Sequence, residues 1–544
     1  MVNCQYEFQV IKGSAEDSTL IRRRKAKSLF DIRRSWWACW EAVALDKSAA
    51  KSAFDSDPSH VIEEVRDYTM NITERLVSFC HQLSGERLPR NVVERARFLA
   101  LDFIGVAARG ASSDSSLPIT RFLNAIGGNG EAAVIGTPLL AHPTYAALAN
   151  GAFAHSLELD DVERESSLHP GVAVFPAALA AAALSGADGQ RFLAAVVAGY
   201  EVAIRLGRAL KPSAHYGRGF HPTATCGTFG AATAAGKLLG LDDQRLLHAF
   251  GIAGSQAAGL MEFLADGAWT KRFHPGWAAH AGLVAALLAR EGLTGPKRVL
   301  EGDNGFLRAY SDAADPALIV KNLGHEYAIL RTAVKIHACC RYMHAGIDAI
   351  LELAGRHHIA PSDVARISVG IIPTGYFIIA DPPEQKYHPR STVDAQFSMP
   401  YGAAIALLKR RASLEEFTED LIRSPEVRML LAKVECIKDP ELERSFPERW
   451  SGWAEIETVD GDRRRAWVEM PKGEPENPLG WEGLVEKFHT LATPVFSEER
   501  RRAIIEATAQ LETFQDIREL TRLLRAESPP PLIQTFSPGG RRKS

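Results

Sequence analysis

Four short stretches of the chain gather the side chains that move protons and hold anions. The first runs from Ala154 to Gly171, A-H-S-L-E-L-D-D-V-E-R-E-S-S-L-H-P-G, and sets His155, Glu158, Asp160, Asp161 and His169 beside an apolar segment. Titratable groups at the edge of a core can hold perturbed pKa values, although the same composition also suits a solvated loop. The second, G-R-G-F-H-P-T-A-T-C-G-T-F-G from Gly217 to Gly230, places His221 just before an Ala-rich segment. A helix N-terminus there would favour an anion, and a turn with a capping His is the plainer alternative. The third, Trp269 to Ala279, carries Lys271, Arg272 and His274, which suit a polyanionic ligand or a basic surface turn. The fourth, K-I-H-A-C-C-R-Y-M-H from Lys335 to His344, packs a Lys, two His, two Cys and an Arg into ten residues.

The fourth stretch tempts a metal reading, but His337, Cys340 and His344 match neither a zinc finger nor H-E-x-x-H. An anion-binding, acid/base strip accounts for it better. Cys340 could act as a nucleophile, yet a buried thiol is more often inert. The glycines of the second stretch form neither G-x-G-x-x-G nor a phosphate-binding P-loop. Together the four stretches, with no nucleotide loop and no metal signature, suit proton transfer on an anionic substrate.

Composition removes other classes of function. A net charge of −3 over 544 residues leaves no broad footprint for nucleic acid or an anionic membrane. Seven cysteines, an odd number without a C-x-x-C pair, argue against a secreted disulfide framework and fit a reducing cytoplasm. The most apolar run, Gly171 to Gly186, is short of the roughly 20 residues of a membrane span and reads as a buried core helix. Acidic Glu7, Glu16 and Asp17 spoil a leader peptide, and the basic run Arg22 to Lys25 reads as solvated.

The elements that must position these residues fall into a pattern. Residues 1–65 are a polar extension of uncertain order with an aromatic knot at Trp36, Trp37 and Trp40. From 66 to 328 apolar residues recur at helical spacing, as in Val92, Ala96, Leu99 and Phe103, and predict a large helical domain. From 329 to 480 the texture is α+β. Ala365 to Ile372 alternates like a strand, and Trp453 to Met470 predicts a hairpin around Asp460-Gly461, a dipeptide suited to a type I′ turn. Residues 481–525 are helical again and could pack back on the first domain, and 526–544 read as a disordered tail. The fold class is therefore mainly α with a smaller α+β domain.

Taken in order, H-S-L-E-L-D-D, H-P-G, G-F-H-P-T, T-K-R-F-H-P-G-W-A-A, K-x-x-x-x-C-R-Y-x-H and P-K-G-E-P-E-N-P-L resemble the MmgE/PrpD family from about Met70 to Arg525. The family includes 2-methylcitrate dehydratase, cis-aconitate decarboxylase and iminodisuccinate epimerase. The resemblance implies a helical domain with an α+β lid, a site between them free of metal and organic cofactor, and a homodimer. It implies catalytic roles for Glu158, Asp161, His169, His221, Lys271 and Lys335. A lid tyrosine is implied as well, and Tyr376 and Tyr387 both stand near the right place. Arg272, His274, Cys340 and Arg341 join them as substrate-binding candidates. Three departures stand out: Glu158 for the usual Asp, Val162 for Thr, and Cys340 where the decarboxylase branch resembles a His.

These residues permit a mechanism in which Lys271, Lys335 and Arg341 stabilise a carbanion-like state next to a carboxylate. His169 and His221 carry the proton, and Glu158 or Asp161 orients one of them. The leading expectation is dehydration of a small polycarboxylate such as 2-methylcitrate, with Cys340 counting against decarboxylation. Epimerase or decarboxylase activity on a related acid, or a catalytically silent binding protein, are the alternatives.

Overall fold

A computed structural model describes residues 70–127 and 130–533 of the chain. The expected 1–65 extension, with its basic run and aromatic knot, and residues 534–544 of the expected tail lie outside the described residues. The architecture is mainly helical with a smaller α+β part.

The helical part is built on close approach. The apolar Gly171–Ser185 helix is buried on every side through Ala183, and the Gly189–Leu210, Pro222–Leu238, Pro143–Ala154 and Thr270–Arg290 helices pack around one another and around it. Small residues make this possible. A Cβ on Gly151 would stand 2.8 Å from the Gly276 Cα, and one on Gly230 would stand 2.7 Å from the Gly199 carbonyl oxygen. The Ala- and Gly-rich texture of the sequence is thus an interior of tightly apposed backbones. Two short antiparallel pairs also run through this part: β1 (Ala132–Ala133) with β2 (Leu140–Ala141), and β3 (Val162–Glu163) with β4 (Thr332–Ala333). The second pair ties the first motif to the segment that leads into Lys335.

The α+β part holds a four-stranded sheet in the order β6-β5-β7-β8: β5 (Val364–Ile371), β6 (Val434–Lys438), β7 (Gly452–Thr458) and β8 (Arg463–Val468). The β5–β6 pair is parallel and the other two are antiparallel. The His344–Arg356 helix covers β7 and β8 and joins the Met399–Lys409 helix in a second core. The hairpin forms where expected, but its turn is not type I′. Thr458 pairs with Asp462 around a three-residue loop, and only Gly461, at φ +89°, is left-handed there. A type I turn closed by a left-handed glycine replaces the two-residue turn.

After the sheet the chain returns to the helical core. Leu484, Phe488, Ile504, Leu511 and Leu520 share one apolar cluster with Val92, Leu99 and Phe175. Lys487 bonds the buried Asp102 carboxylate at 2.6 Å. The start of the expected tail is also held: Ala526 donates to the Thr137 carbonyl and Ile533 to that of Ser112. No helix among the described residues is long and apolar enough to cross a membrane.

Candidate active site

Parts of all four chemical stretches converge on one cavity of about 440 Å³ between the helical and α+β parts. Glu158, Val162, Ser167 and His169 line it from the first stretch, and Tyr216 from just before the second. His221 comes from the second, Lys271 from the third, and Lys335, Cys340, Arg341 and Tyr342 from the fourth. Met261, Phe263, Ile378, Phe397 and Trp450 close it with apolar surface.

The loop of the first stretch is held in shape by its own carboxylates. Asp161 accepts from the Tyr200 hydroxyl at 2.5 Å and from the Gly171 amide at 3.1 Å, so it anchors the start of the next helix. Glu158 and Ser167 both sit in the left-handed region, at φ +55° and +52°. Such backbone is rare for residues other than glycine and collects at functional sites.

Asp160 is the hub of the charged wall. Its Oδ2 lies 2.8 Å from His155 Nδ1 and 2.9 Å from His169 Nδ1. His169 Nδ1 also lies 2.6 Å from the Asp161 carbonyl oxygen. Both partners of that nitrogen only accept, so Nδ1 carries the proton and Nε2 keeps its lone pair. His155 is fixed in the same tautomer, and its Nε2 accepts from the Lys271 ammonium at 3.0 Å. Lys271 also pairs with Glu158, whose second oxygen is 3.3 Å from Lys335 Nζ. His221 Nδ1 lies 3.1 Å from His274 Nδ1.

Electrostatics follow from this burial. Desolvation pushes the His169 imidazole down to about 4 against the pull of Asp160. Burial, with His274 and Lys271 adding to it, holds His221 well below its ordinary value. Burial also brings His274 to about 4. Both cavity-lining histidines therefore start as neutral bases at neutral pH. For Glu158, burial would raise the pKa, but the two lysines outweigh it and hold the carboxylate below its usual range. Burial lowers Lys271 despite Glu158, which makes it a better proton donor, whereas Glu158 and Asp160 overcome burial at Lys335 and keep it charged. Burial pushes the Asp161 carboxyl up to about 7, and burial raises the Cys340 thiol, which keeps it protonated.

Several expectations need correction. Asp161 faces the helix start rather than the cavity, and Glu158 faces the lysines, so neither orients a histidine through its carboxylate; Asp160 does. Neither expected tyrosine reaches the cavity: the Tyr387 hydroxyl donates to the Val434 carbonyl at 2.9 Å, and Tyr376 packs on the second apolar cluster. Tyr342 lines it instead, stacked on Trp450 at 4.2 Å with its hydroxyl 3.3 Å from Ser167 Oγ. Arg272 is buried behind the site, bonded to Ser115 at 3.0 Å and Gln396 at 3.2 Å, and His274 supports His221 from behind. Within the fourth stretch, His337 turns away to Asp348. Arg341 stays at the cavity, held by Glu474 at 2.6 Å and by His344 at 2.8 Å.

Residues absent from the site reading complete the picture. His155 and Asp160 stood in the first stretch, and Tyr342 in the fourth. Only tertiary packing distinguishes them from their neighbours. Gln396, which donates to the carbonyls of Leu157 and Ala338 at 3.1 Å each, carries no local signal at all. Among the described residues, His155, Asp160 and His169 could also hold a metal ion, since their ligating atoms lie within 4.8 Å of one another. As arranged, both imidazole N–H groups point into Asp160, and the Lys271 ammonium sits against the trio, a setting that favours hydrogen bonds over a cation.

Comparison with known proteins places this geometry. Residues 74–319 match the MmgE/PrpD N-terminal domain and residues 337–513 the MmgE/PrpD C-terminal domain. The chain belongs to the MmgE/PrpD family. It is 31% identical over 481 residues to a cis-aconitate decarboxylase of Aspergillus terreus, covering 85% of this chain and 97% of that one. It is 30% identical over 476 residues to human cis-aconitate decarboxylase, covering 85% and 96%. A cis-aconitate decarboxylase-like protein, oryM, of Aspergillus oryzae is also 30% identical, over 84% of this chain and 98% of its own length. These relatives are named for loss of CO₂, not of water, which moves the weight from the expected dehydration to the decarboxylase alternative.

Proposed function

We propose that this chain is a lyase that decarboxylates a small unsaturated polycarboxylate, cis-aconitate or a close relative, with charge stabilisation and proton transfer supplied by its own side chains. The observation that carries the reading is the convergence of Lys271, Lys335 and Arg341 on one cavity with His169 and His221. That set can hold a polyanion and move one proton, and the decarboxylase relatives support the choice of reaction.

The chemistry needs both parts. In cis-aconitate the bond from the CH₂ group to its carboxylate breaks and CO₂ leaves. The freed electron pair forms a new alkene, and the old alkene pair moves to the carbon beside another carboxylate. That carbon then takes one proton. Fixed cations against the remaining carboxylates stabilise the charge as it moves, most strongly in a site closed to water. Arrival of a trianion also raises the pKa of nearby imidazoles, because an opposite charge favours their charged form. His169 Nε2, which keeps its lone pair, then gains a proton from solvent and is placed to deliver it to carbon. Asp160 steadies the resulting imidazolium.

A second reading, dehydration of 2-methylcitrate, keeps support from Cys340, which lines the cavity where the decarboxylase branch resembles a His. Proton NMR of the pure protein in D₂O separates the two. The proposal expects CO₂ and a product carrying one deuterium from cis-aconitate. Loss of water from 2-methylcitrate with cis-aconitate untouched would replace it by the second reading.

A further inference from the structure

A second concavity begins at Glu165, two residues before the cavity-lining Ser167. It is an open groove of about 1180 Å³ whose walls come from both parts of the molecule. The helical side gives Arg208, Lys211, Lys321 and Arg331, and the α+β side gives Glu443 and Phe446. The carboxylates here are already engaged. Glu165 is held between Arg208, at 3.2 Å, and Arg331, and Glu443 accepts from the Thr374 amide at 3.1 Å and its hydroxyl at 2.5 Å. Glu326 on the rim accepts from Asn322 at 2.8 Å. The exposed Lys211 and Lys321 are different: among the described residues their ammoniums have no hydrogen-bond or ion-pair partner. Two free cations thus stand over a paired cation cluster, in a groove large enough for a small molecule.

We infer that this groove is a second binding site for a small polyanion, one with two or more negative charges such as a polycarboxylate or a phosphate ester. Lys211 and Lys321 supply the unspent charge, and Arg331 and Arg208 can turn from Glu165 to the ligand, as guanidinium groups suit planar oxyanions. Occupancy would be felt in the catalytic cavity by two routes. Phe446 packs 5.8 Å from Trp450 and 6.3 Å from Tyr342, centroid to centroid, and both of those rings line the cavity. Glu165 belongs to the loop whose buried Glu163 binds the Ser166 amide at 2.8 Å and Arg208 at 2.8 Å, just ahead of Ser167 and His169. A ligand bridging both walls would also set how closely the α+β part sits on the helical part.

Titration calorimetry on the full chain at low salt, with citrate and with inorganic phosphate as separate probes, tests this directly. The expected result is a binding component weakened at least about tenfold in Lys211→Glu/Lys321→Glu, while the melting temperature is unchanged. A loss confined to citrate assigns the groove to polycarboxylates, and a loss of phosphate binding assigns it to phosphate esters. The neutral pair Lys211→Ala/Lys321→Ala should give a smaller loss of the same component, which guards against a folding artefact. Binding of both probes unchanged in both variants, or no binding component outside the catalytic cavity, would overturn the inference.

Discussion

The two walls of the candidate cavity are made of different chemistry. The wall from the helical part is ionic and over-determined: Glu158, Lys271, His155, Asp160 and His169 form one continuous chain of contacts. The wall from the α+β part is mostly apolar and aromatic, with Tyr342 stacked on Trp450 and Ile378 and Phe397 beside them. Lys335 stands where the two meet, fully buried just beyond β4. The difference teaches a division of labour. The first wall fixes charge and tautomer before substrate arrives, and the second excludes water and shapes the space.

That division can be broken by unequal mutational effects. Lys271→Ala should have the largest, lowering kcat about a thousandfold, because it removes the ammonium that meets Glu158 and His155; steady-state kinetics would read it. Asp160→Asn should follow, with kcat down about a hundredfold and the pH profile displaced, since a neutral amide lacks the charge that steadies an imidazolium. Trp450→Ala on the other wall should mainly raise KM, by about tenfold, through lost apolar contact. Tyr387→Phe should change either constant less than about twofold, because its hydroxyl bonds the Val434 carbonyl and does not line the cavity. A Trp450 variant that lost kcat as heavily as the Asp160 variant would end the distinction between walls.

Stability should show the same buried chemistry. His169, His215 and His274 are each pushed to about 4 by burial, below their ordinary value of 6.5. Between those values the unfolded chain binds more protons than the folded one, so stability rises with pH and is lost on acidification from about 6.5 toward 4. The loss is on the order of 3 kcal/mol for each histidine. Thermal melts across that window, repeated with His215→Gln to flatten part of the slope, would check it.

Much of this was legible in the residues, and the limit has a physical form. Apolar spacing at Val92, Ala96 and Leu99 announces a helix because a helix buries one stripe, and the alternation of Ala365 to Ile372 announces β5 for the matching reason. Glu158, His169, His221, Lys271, Lys335 and Arg341 all stand in the four chemical stretches and line the cavity, but their individual roles are implied by the resemblance to the family rather than by the stretches themselves. What local text does not encode is which of two adjacent aspartates faces inward. Asp160 and Asp161 differ by one residue, yet the left-handed turn at Glu158 and the Tyr200 hydroxyl send them to opposite tasks. The resemblance points to Tyr376 or Tyr387, whereas the tyrosine at the cavity is Tyr342, inside the fourth stretch. Its role depends on Trp450, more than a hundred residues away in sequence.

The most direct test of the account is turnover of cis-aconitate by His169→Ala beside the unaltered chain, followed by CO₂ release. The account predicts a fall in kcat of at least about a hundredfold with KM within a few-fold, since the lost group acts on the proton and the cations still hold the substrate. A variant that released CO₂ at close to the original kcat would contradict the central role given to this imidazole and to the carboxylate behind it.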